Sequence, residues 1–363
     1  MKKINLKIFL INFLIYFVIA YLLVNSKVCV NSIKQSTDIF LNKLIPALLP
    51  FILITELLIN FNIIQNLSYG MQNIICKIFK LNKNACAPVI CGYLLGYPNA
   101  AKVISNMYST GKISKLDAIH LITFTNNANM SYVLSSIGIL IYYNIKVGII
   151  LLVSHFLSSI IIGICYGYTK PKTIIQQKNV ISNTFSKSNF EIVINCILNT
   201  LKTFGIIFMY TVCFSLIPTI LLNNLAISDG IKAFITGIFE ISNGIYNISK
   251  LNIHINYKII FTSFILSFSS FMVLFQVYSY VYSIGIKFKD LIKYKFIQGV
   301  LSSIITYILL QFIDIKEITT FKEVFNSYDN YITNTVILPS TIYFFAVIIT
   351  LIVIYLSFNK NRK

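Results

Sequence analysis

Two pairs of polar, helix-breaking interruptions lie inside the apolar stretches of this chain, and the pairs are 144 positions apart. The first pair is Gly96–Asn99 and Thr123–Asn126, and the second is Glu240–Gly244 and Ser267–Ser270, at the same internal spacing. Lipid offers no hydrogen-bond partners, so such segments persist at membrane depth only where protein covers them or where they line a wet cavity. Corresponding interruptions in two halves of a membrane protein indicate a solute-binding site. The pattern therefore predicts a transporter.

Long apolar runs separate the polar segments. Of the 363 residues, 56% are hydrophobic and 11% are charged, whereas soluble domains carry about 25% charged residues. A spanning helix needs about 20 apolar residues. The clearest runs are Ile8–Val24, Leu44–Phe61, Lys146–Tyr168, Cys196–Leu222, Phe296–Phe312 and Val336–Leu356. We expect an all-α polytopic membrane protein with two structural repeats that contain re-entrant or discontinuous helices.

The basic residues predict topology. The formal charge is +19, but Arg362 is the single arginine and the lysines lie mainly between the apolar runs, so nucleic acid is not an expected partner. Lysine-rich connections face the cytoplasm, and the segment between Tyr168 and Glu191 contains lysines without acidic residues. The predicted organisation is an N-terminal membrane helix at 1–30, a first repeat at 40–168, a cytoplasmic linker at 169–190, a second repeat at 191–313 and a C-terminal membrane helix at 336–357.

Cofactor and metal chemistry have no support in the sequence. The seven cysteines include no Cys-x-x-Cys pair, and buried reduced thiols are the expectation. His120, His155 and His254 lack metal-ligand spacing, which favours structural or solvated roles. Hydrolase, nucleotide-binding and dinucleotide-binding signatures are absent from the sequence. We therefore expect no enzyme, no cofactor and no metal.

Glu240 is the strongest single candidate for function, because an acidic side chain within a membrane segment is costly and indicates a role with a named partner. Its spacing predicts that it shares one helical face with Gly237 and Gly244. We expect a role in coupling or gating. The alternative is a position near the membrane interface or a structural ion pair with a lysine such as Lys202 or Lys232.

Pro98 is well placed to begin a short helix, whose exposed N–H groups would favour an anion. Lys102, one turn later, would add to that attraction, although a lysine side chain that snorkels to the surface is an open alternative. Glu56 is equally compatible with a solvated position and a site role. The candidate substrate-binding residues are Tyr97, Pro98, Asn99, Lys102, Thr125, Asn126, Asn127, Glu240, Asn243, Ser269 and Ser270.

Several of these segments resemble a known family. The chain resembles the sporulation integral membrane proteins of the YlbJ type, which carry a nucleoside-recognition (Gate) domain. The segments that carry the resemblance are Cys91–Lys102, Asp117, Leu121–Asn126, Gly237–Gly244, Leu266–Ser269 and Gln276. The resemblance extends from about Leu41 to Leu310. It departs from the family where Ala100, Ser269 and Ser270 stand in place of glycines, at positions where close backbone approach is expected.

The resemblance implies an endospore-forming source, a place in the outer forespore membrane and a role in spore maturation and cortex formation, by movement of dipicolinic acid. The expected partners are a small anionic solute and the lipid bilayer, and a homo-oligomer is left open. Two alternatives remain at this point. One is a transporter of nucleoside-type solutes, and the other is a non-transporting membrane scaffold for cortex assembly.

Overall fold

Helices make up the regular structure of the computed structural model, which describes residues 6–61, 63–169 and 189–315. The α-helices are α1 (Leu6–Val24), α2 (Ser26–Ile39), α3 (Ile45–Asn60), α4 (Ile63–Phe79), α5 (Cys86–Leu94), α6 (Asn99–Ser109), α7 (Lys115–Thr125), α8 (Ile145–Thr169), α9 (Asn189–Leu222), α10 (Asp229–Phe239), α11 (Ile241–Ser249), α12 (Ile255–Phe268), α13 (Ser270–Val281) and α14 (Phe288–Phe312). There are also two π-helical segments. Phe40–Leu44 joins α2 to α3, and Tyr132–Ile139 follows the break after α7.

Five helical stretches in the described residues are long and apolar enough to cross a membrane. They are Ser26–Asn60, Ile145–Thr169, Phe190–Leu222, Ile255–Ile284 and Phe288–Phe312. The prediction of an all-α polytopic membrane protein is confirmed. The predicted C-terminal span and the 169–190 linker fall wholly or largely outside the described residues, and the domain boundaries stay predictions.

The long helices α2–α3 and α9 pack antiparallel. Near one end, the Ser32 hydroxyl lies 2.8 Å from the Thr219 hydroxyl, and near the other the Asn199 amide donates to Glu56 at 3.5 Å. Because the residue number rises along one helix as it falls along the other, these two contacts fix the relative direction. Phe40 lies between them and packs on Phe208 with ring centroids 4.9 Å apart.

One face of the bundle, here called the first face, gathers the turns around 80–84, 112–117, 167–168 and 285. The Asn84 side chain donates to the Lys112 carbonyl at 3.2 Å, and the Lys80 ammonium lies 4.8 Å from the centre of the Tyr168 ring. The turn at Gly285 lies against Lys115. Both ends of the α5–α6 hairpin are therefore at the first face, where α7 begins and α8 and α13 end.

The opposite, second face gathers the turns around 140–143, 246–258 and the π-helical turn at Lys43. Lys43 donates to the Leu140 carbonyl at 2.6 Å and lies 5.1 Å from the centre of the Tyr246 ring. The Tyr142 hydroxyl donates to the Lys258 carbonyl at 3.2 Å. The chain thus passes from the first face to the second through α7, and from the second to the first through α12 and α13.

The order of elements is the same in the two halves, but their direction is opposite. Each half contains a broken hairpin (α5–α6 or α10–α11), then a broken crossing (α7 with its π-helical segment, or α12–α13), then a long unbroken helix (α8 or α14). This order and direction are what an inverted repeat would have. The assignment of the halves as structural repeats stays a prediction.

Candidate functional site

The two predicted interruptions of the first half meet inside the protein. Helix α7 ends at Thr125, and the chain is non-helical from Asn126 through Asn129 before it turns helical again. The Tyr97 backbone N–H, at the tip of the α5–α6 hairpin, donates to the Asn127 carbonyl at 2.8 Å. In return, the Asn129 side chain donates to the Leu95 carbonyl at 3.2 Å. Each break therefore supplies hydrogen-bond partners to the other.

The hairpin tip depends on glycine at position 96. Gly96 has φ +69°, a left-handed conformation that side chains disfavour. A Cβ at this position would lie 2.6 Å from the Asn129 nitrogen. The predicted half-helix also exists, because α6 begins at Asn99 with Pro98 as its N-cap residue and no side-chain cap.

Glu240 forms the tip of the second hairpin, α10–α11, and caps its second helix. One carboxylate oxygen accepts from the Ser242 N–H at 2.9 Å, and the other accepts from the Asn243 N–H at 2.6 Å and from the Asn243 side chain at 2.8 Å. Glu240 is fully buried. Within the described part of the chain, neither Lys202 nor Lys232 lies within 4.0 Å of its carboxylate, so the alternative of a structural ion pair with either lysine is wrong.

The prediction that Gly237, Glu240 and Gly244 share one helical face is also wrong. Helix α10 ends at Phe239, and Glu240 is extended, with φ −137° and ψ 119°. Gly237 and Gly244 instead face each other across the hairpin, where a Cβ on Gly244 would fall on the Gly237 backbone. A period of three and four residues assumes an unbroken helix, and the hairpin reverses the chain between the two glycines.

The second hairpin is tied to the rest of the centre through α11. The Ser242 hydroxyl lies 3.1 Å from the Tyr132 hydroxyl, which belongs to the π-helical segment after the first break. The Asn243 amide donates to the Ser36 hydroxyl at 3.0 Å and accepts from Gln35 at 3.2 Å. Asn243, predicted to contact solute, therefore fastens α11 to α2.

A cavity of about 50 Å³ lies among these breaks. Its walls are mostly apolar side chains, with a few polar groups between them. The lining residues are Leu44, Leu48, Ile52, Leu95, Tyr97, Pro98, Asn129, Tyr132, Ile207, Ile241, Ser242, Met272 and Gln276. The amide nitrogen of Gln276 is buried here without a hydrogen-bond partner among the described residues. Buried polar atoms are nearly always hydrogen-bonded, so an unpaired donor at a cavity wall indicates a place for a bound polar group.

Ser269 and Ser270 form the break between α12 and α13. Both have positive φ, at 71° and 49°, where glycine is the residue that fits without cost. The hydroxyl of Ser270 is buried and has no partner in the described residues. Ser269 and Ser270, two of the three positions at which the resemblance led us to expect glycine, thus have a backbone that favours glycine. Ala100, the third departure, is fully buried in α6.

Asn126 and Asn127 hold the first break together. The Asn126 amide donates to the Ile122 carbonyl at 3.0 Å, while its side-chain oxygen is buried without a partner among the described residues. The Asn127 amide donates to the Phe124 carbonyl at 3.0 Å. Thr125 donates to its own helix, at Leu121. Of these predicted site residues, Asn126 retains a free acceptor for a ligand.

Lys295 is a buried residue that sequence reasoning missed. It is fully buried on α14 and donates to the Asn126 carbonyl and, at 2.7 Å, to the Gln298 side chain. A signal was present, because Lys295, Gln298, Ser302 and Thr306 recur at helical spacing and all are buried. The predicted apolar run began at Phe296 and so left this lysine outside.

Lys102 lies away from the cavity. Its ammonium is 3.6 Å from the Glu56 carboxylate, and its side chain is 49% exposed. Glu56 is buried, so it has a partnered rather than a solvated position. Asn99, at the start of α6, is buried as well. The anion attraction predicted for Lys102 remains a prediction.

His155 has a structural role. Its Nε2 accepts from the Ala128 N–H at 3.0 Å, so the hydrogen is assigned to Nδ1, which donates to the Ser267 hydroxyl at 2.7 Å. The ring therefore joins the break after α7 to the helix before the Ser269 break. His120 is likewise buried, whereas His254 is exposed.

Comparison with known proteins supports the family resemblance. Residues 41–148, which contain both interruptions of the first half, match the family model described as Gate, nucleoside recognition. The chain is also 25% identical over 150 residues to the sporulation integral membrane protein YlbJ of Bacillus subtilis (strain 168). The predicted resemblance to the YlbJ type is confirmed. The match covers 40% of this chain and 37% of that relative's length, and no solved structure matches.

Proposed function

We propose that this chain is a sporulation membrane transporter that moves a small anionic solute, dipicolinic acid, across the outer forespore membrane for spore maturation and cortex formation. The observation that carries the proposal is the meeting of broken helices from both halves at one buried polar centre. Irregular backbone at membrane depth is tolerated where it lines a cavity, and substrate sites of transporters lie between discontinuous helices.

The proposal requires the centre to open, because the cavity is smaller than the proposed solute. A buried water needs at least about 10–15 Å³, so the cavity of about 50 Å³ has room for a few waters but not for an aromatic dicarboxylate. Solute binding then requires the hairpin tips to separate. The opposite directions of the two halves would let one tip open towards each face in turn.

The chemistry at the centre suits a flat polar solute. Gln276 offers an unpaired amide donor, and the aromatic residues Tyr97 and Tyr132 line the same cavity. The N-terminus of α6 has no side-chain cap, so its N–H groups and dipole favour a negative charge. These features support an anionic aromatic solute.

Uptake by purified protein in lipid vesicles tests the proposal. We expect labelled dipicolinate to accumulate in vesicles with the wild-type protein and Gln276→Leu to slow uptake at least about tenfold, since each lost hydrogen bond to a charged group costs about 1.5–3 kcal/mol. Gln311→Leu, at an exposed glutamine of α14, is the matched control and should transport normally. Absence of dipicolinate movement in wild-type vesicles would contradict the choice of solute.

A nucleoside-type solute is the second candidate. It is favoured by the description of the matched family and by the unpaired Asn126 oxygen and Gln276 nitrogen, because a nucleobase presents both donors and acceptors. Parallel uptake of labelled nucleosides separates the two candidates. If neither solute moves while spores without the protein remain defective in cortex, the scaffold alternative is favoured.

A further inference from the structure

Lys295 is a buried cation without a carboxylate partner. It lies in α14, one of the helices long and apolar enough to cross a membrane, and none of its side chain is exposed. In the described part of the chain, no carboxylate oxygen lies within 4.0 Å of its ammonium. A charge held at such depth is costly unless specific groups compensate it, and it marks a functional position by default.

The compensating group is the end of a half-helix. The ammonium donates to the Asn126 carbonyl, directly after the last residue of α7. The final carbonyls of a helix lack intrahelical partners, and the macrodipole adds negative potential there. In membrane transporters, unwound carbonyls and half-helix C-termini of this kind coordinate sodium ions or protons.

The cation is also the first member of a hydrogen-bonded chain. Gln298 accepts from Lys295 and donates to the Asn127 side chain at 3.2 Å and to the His155 carbonyl at 3.3 Å. The Asn127 carbonyl in turn accepts from Tyr97 at the hairpin tip. A continuous set of hydrogen bonds and one residue therefore links the ammonium, through Gln298 and Asn127, to the hairpin tip.

We propose that the oxygens of Asn126 and Gln298 form a monovalent-cation site that the Lys295 ammonium occupies permanently. The tethered cation holds the break after α7 in the place where a dissociable sodium ion would otherwise bind. It follows that solute movement needs no sodium ion at this site. This consequence for transport rests on the proposed function, whereas the cation site itself does not.

Thermal unfolding of the purified full-length protein tests the site. With choline chloride used to keep ionic strength constant, sodium should leave the wild-type melting temperature unchanged. Lys295→Ala should lower the melting temperature. Ammonium or methylammonium ions should then raise the melting temperature of this variant by about 3 °C or more in a saturable manner, because a small cation can enter the vacated space. Lys295→Met should also lower it but should not respond, since the uncharged side chain fills that space.

Lys293→Ala is the matched control, because Lys293 is an exposed lysine of the same helix. It should change neither the melting temperature nor the response to cations. If folded Lys295→Ala protein can be purified only when ammonium is present, the cation site is supported. If the variant cannot be purified either with or without ammonium, the proposal is overturned.

Three further results would overturn the proposal. One is saturable stabilisation of the wild type by sodium. Another is a Lys295→Ala protein whose melting temperature does not respond to small cations and is no longer raised by dipicolinate. That result would make Lys295 an anion-binding residue. The third is wild-type uptake that is faster in sodium than in choline buffer. If wild-type vesicles move no solute at all, the proposed function fails, but the unfolding experiment still decides the cation site.

Discussion

The tips of the α5–α6 and α10–α11 hairpins both contain backbone N–H groups that need acceptors, but the acceptors come from different places. The first tip takes its partner from another segment, since Tyr97 donates to the carbonyl of Asn127. At the second tip, Glu240 accepts from Ser242 and Asn243 of its own helix. The backbone hydrogen bond of the first tip therefore forms only if the two breaks approach each other closely. The N–H groups of the second tip are capped by a residue of the same hairpin. A hairpin of the second kind can move as a unit without leaving its N–H groups unpaired.

Replacing Gly96 by alanine should have the largest effect, because it breaks the approach on which the first tip depends. The positive φ and the contact with the Asn129 backbone together should destabilise the protein by about 3 kcal/mol or more. Gly111 has the same φ of +69° in open space, so Gly111→Ala should cost about 1 kcal/mol. Denaturant unfolding in detergent measures both. Equal losses would show that close approach at Gly96 is unimportant.

Removal of the cap at the second tip should have the next largest effect. Glu240→Ala leaves two buried N–H groups without their acceptor and should destabilise by about 2 kcal/mol, while Glu240→Gln retains one acceptor oxygen and should lose about half as much. If Glu240 acts only as a cap, Glu240→Gln should transport at the wild-type rate. Lost transport in a stable Glu240→Gln protein would restore the predicted role in coupling or gating.

Glycine at the Ser269 break should stabilise the protein. Ser269→Gly relieves a left-handed conformation and should gain up to about 1 kcal/mol, and the same holds for Ser270→Gly. Ser267→Gly is the contrasting control, because Ser267 lies in regular helix and bonds to His155, so its loss should destabilise. Melting temperatures of the three variants would decide. A destabilised Ser269→Gly protein would indicate that the serine hydroxyl has a structural role.

Lys102→Ala should have the smallest effect on stability, about 0.5 kcal/mol, because the Lys102 side chain is 49% exposed and the Asn199 amide still donates to the buried Glu56. If Lys102 attracts solute to the first tip, uptake should slow at low salt and the difference should disappear at high salt. Lys289→Ala, at an exposed lysine of α14, controls for the loss of one positive charge. Equal uptake by both variants at low salt would remove Lys102 from recognition.

Much of the local structure could be read from the sequence. Glycine and proline near Pro98 and the amides near Asn126 mark real helix breaks, because their preferences act over a few residues. The role of Glu240 could not be read with the same ease. The donors to its carboxylate lie in the next three residues, but they reach it only because α10 ends before it and the chain reverses. The prediction assumed one continuous helix across position 240, so it wrongly placed Glu240 on the same helical face as Gly237 and Gly244.

The sequence by itself determined that this is a helical membrane protein and where its helices break, since lipid penalises every unpaired backbone group and short-range preferences place the interruptions. Only the tertiary structure decided which breaks meet, that the two halves run in opposite directions, and that Lys295 lies at the end of α7. Lys295 and its acceptor Asn126 are 169 residues apart, and the two tips belong to separate hairpins. Contacts at such separation follow from how helices pack, because no local period of residues specifies them.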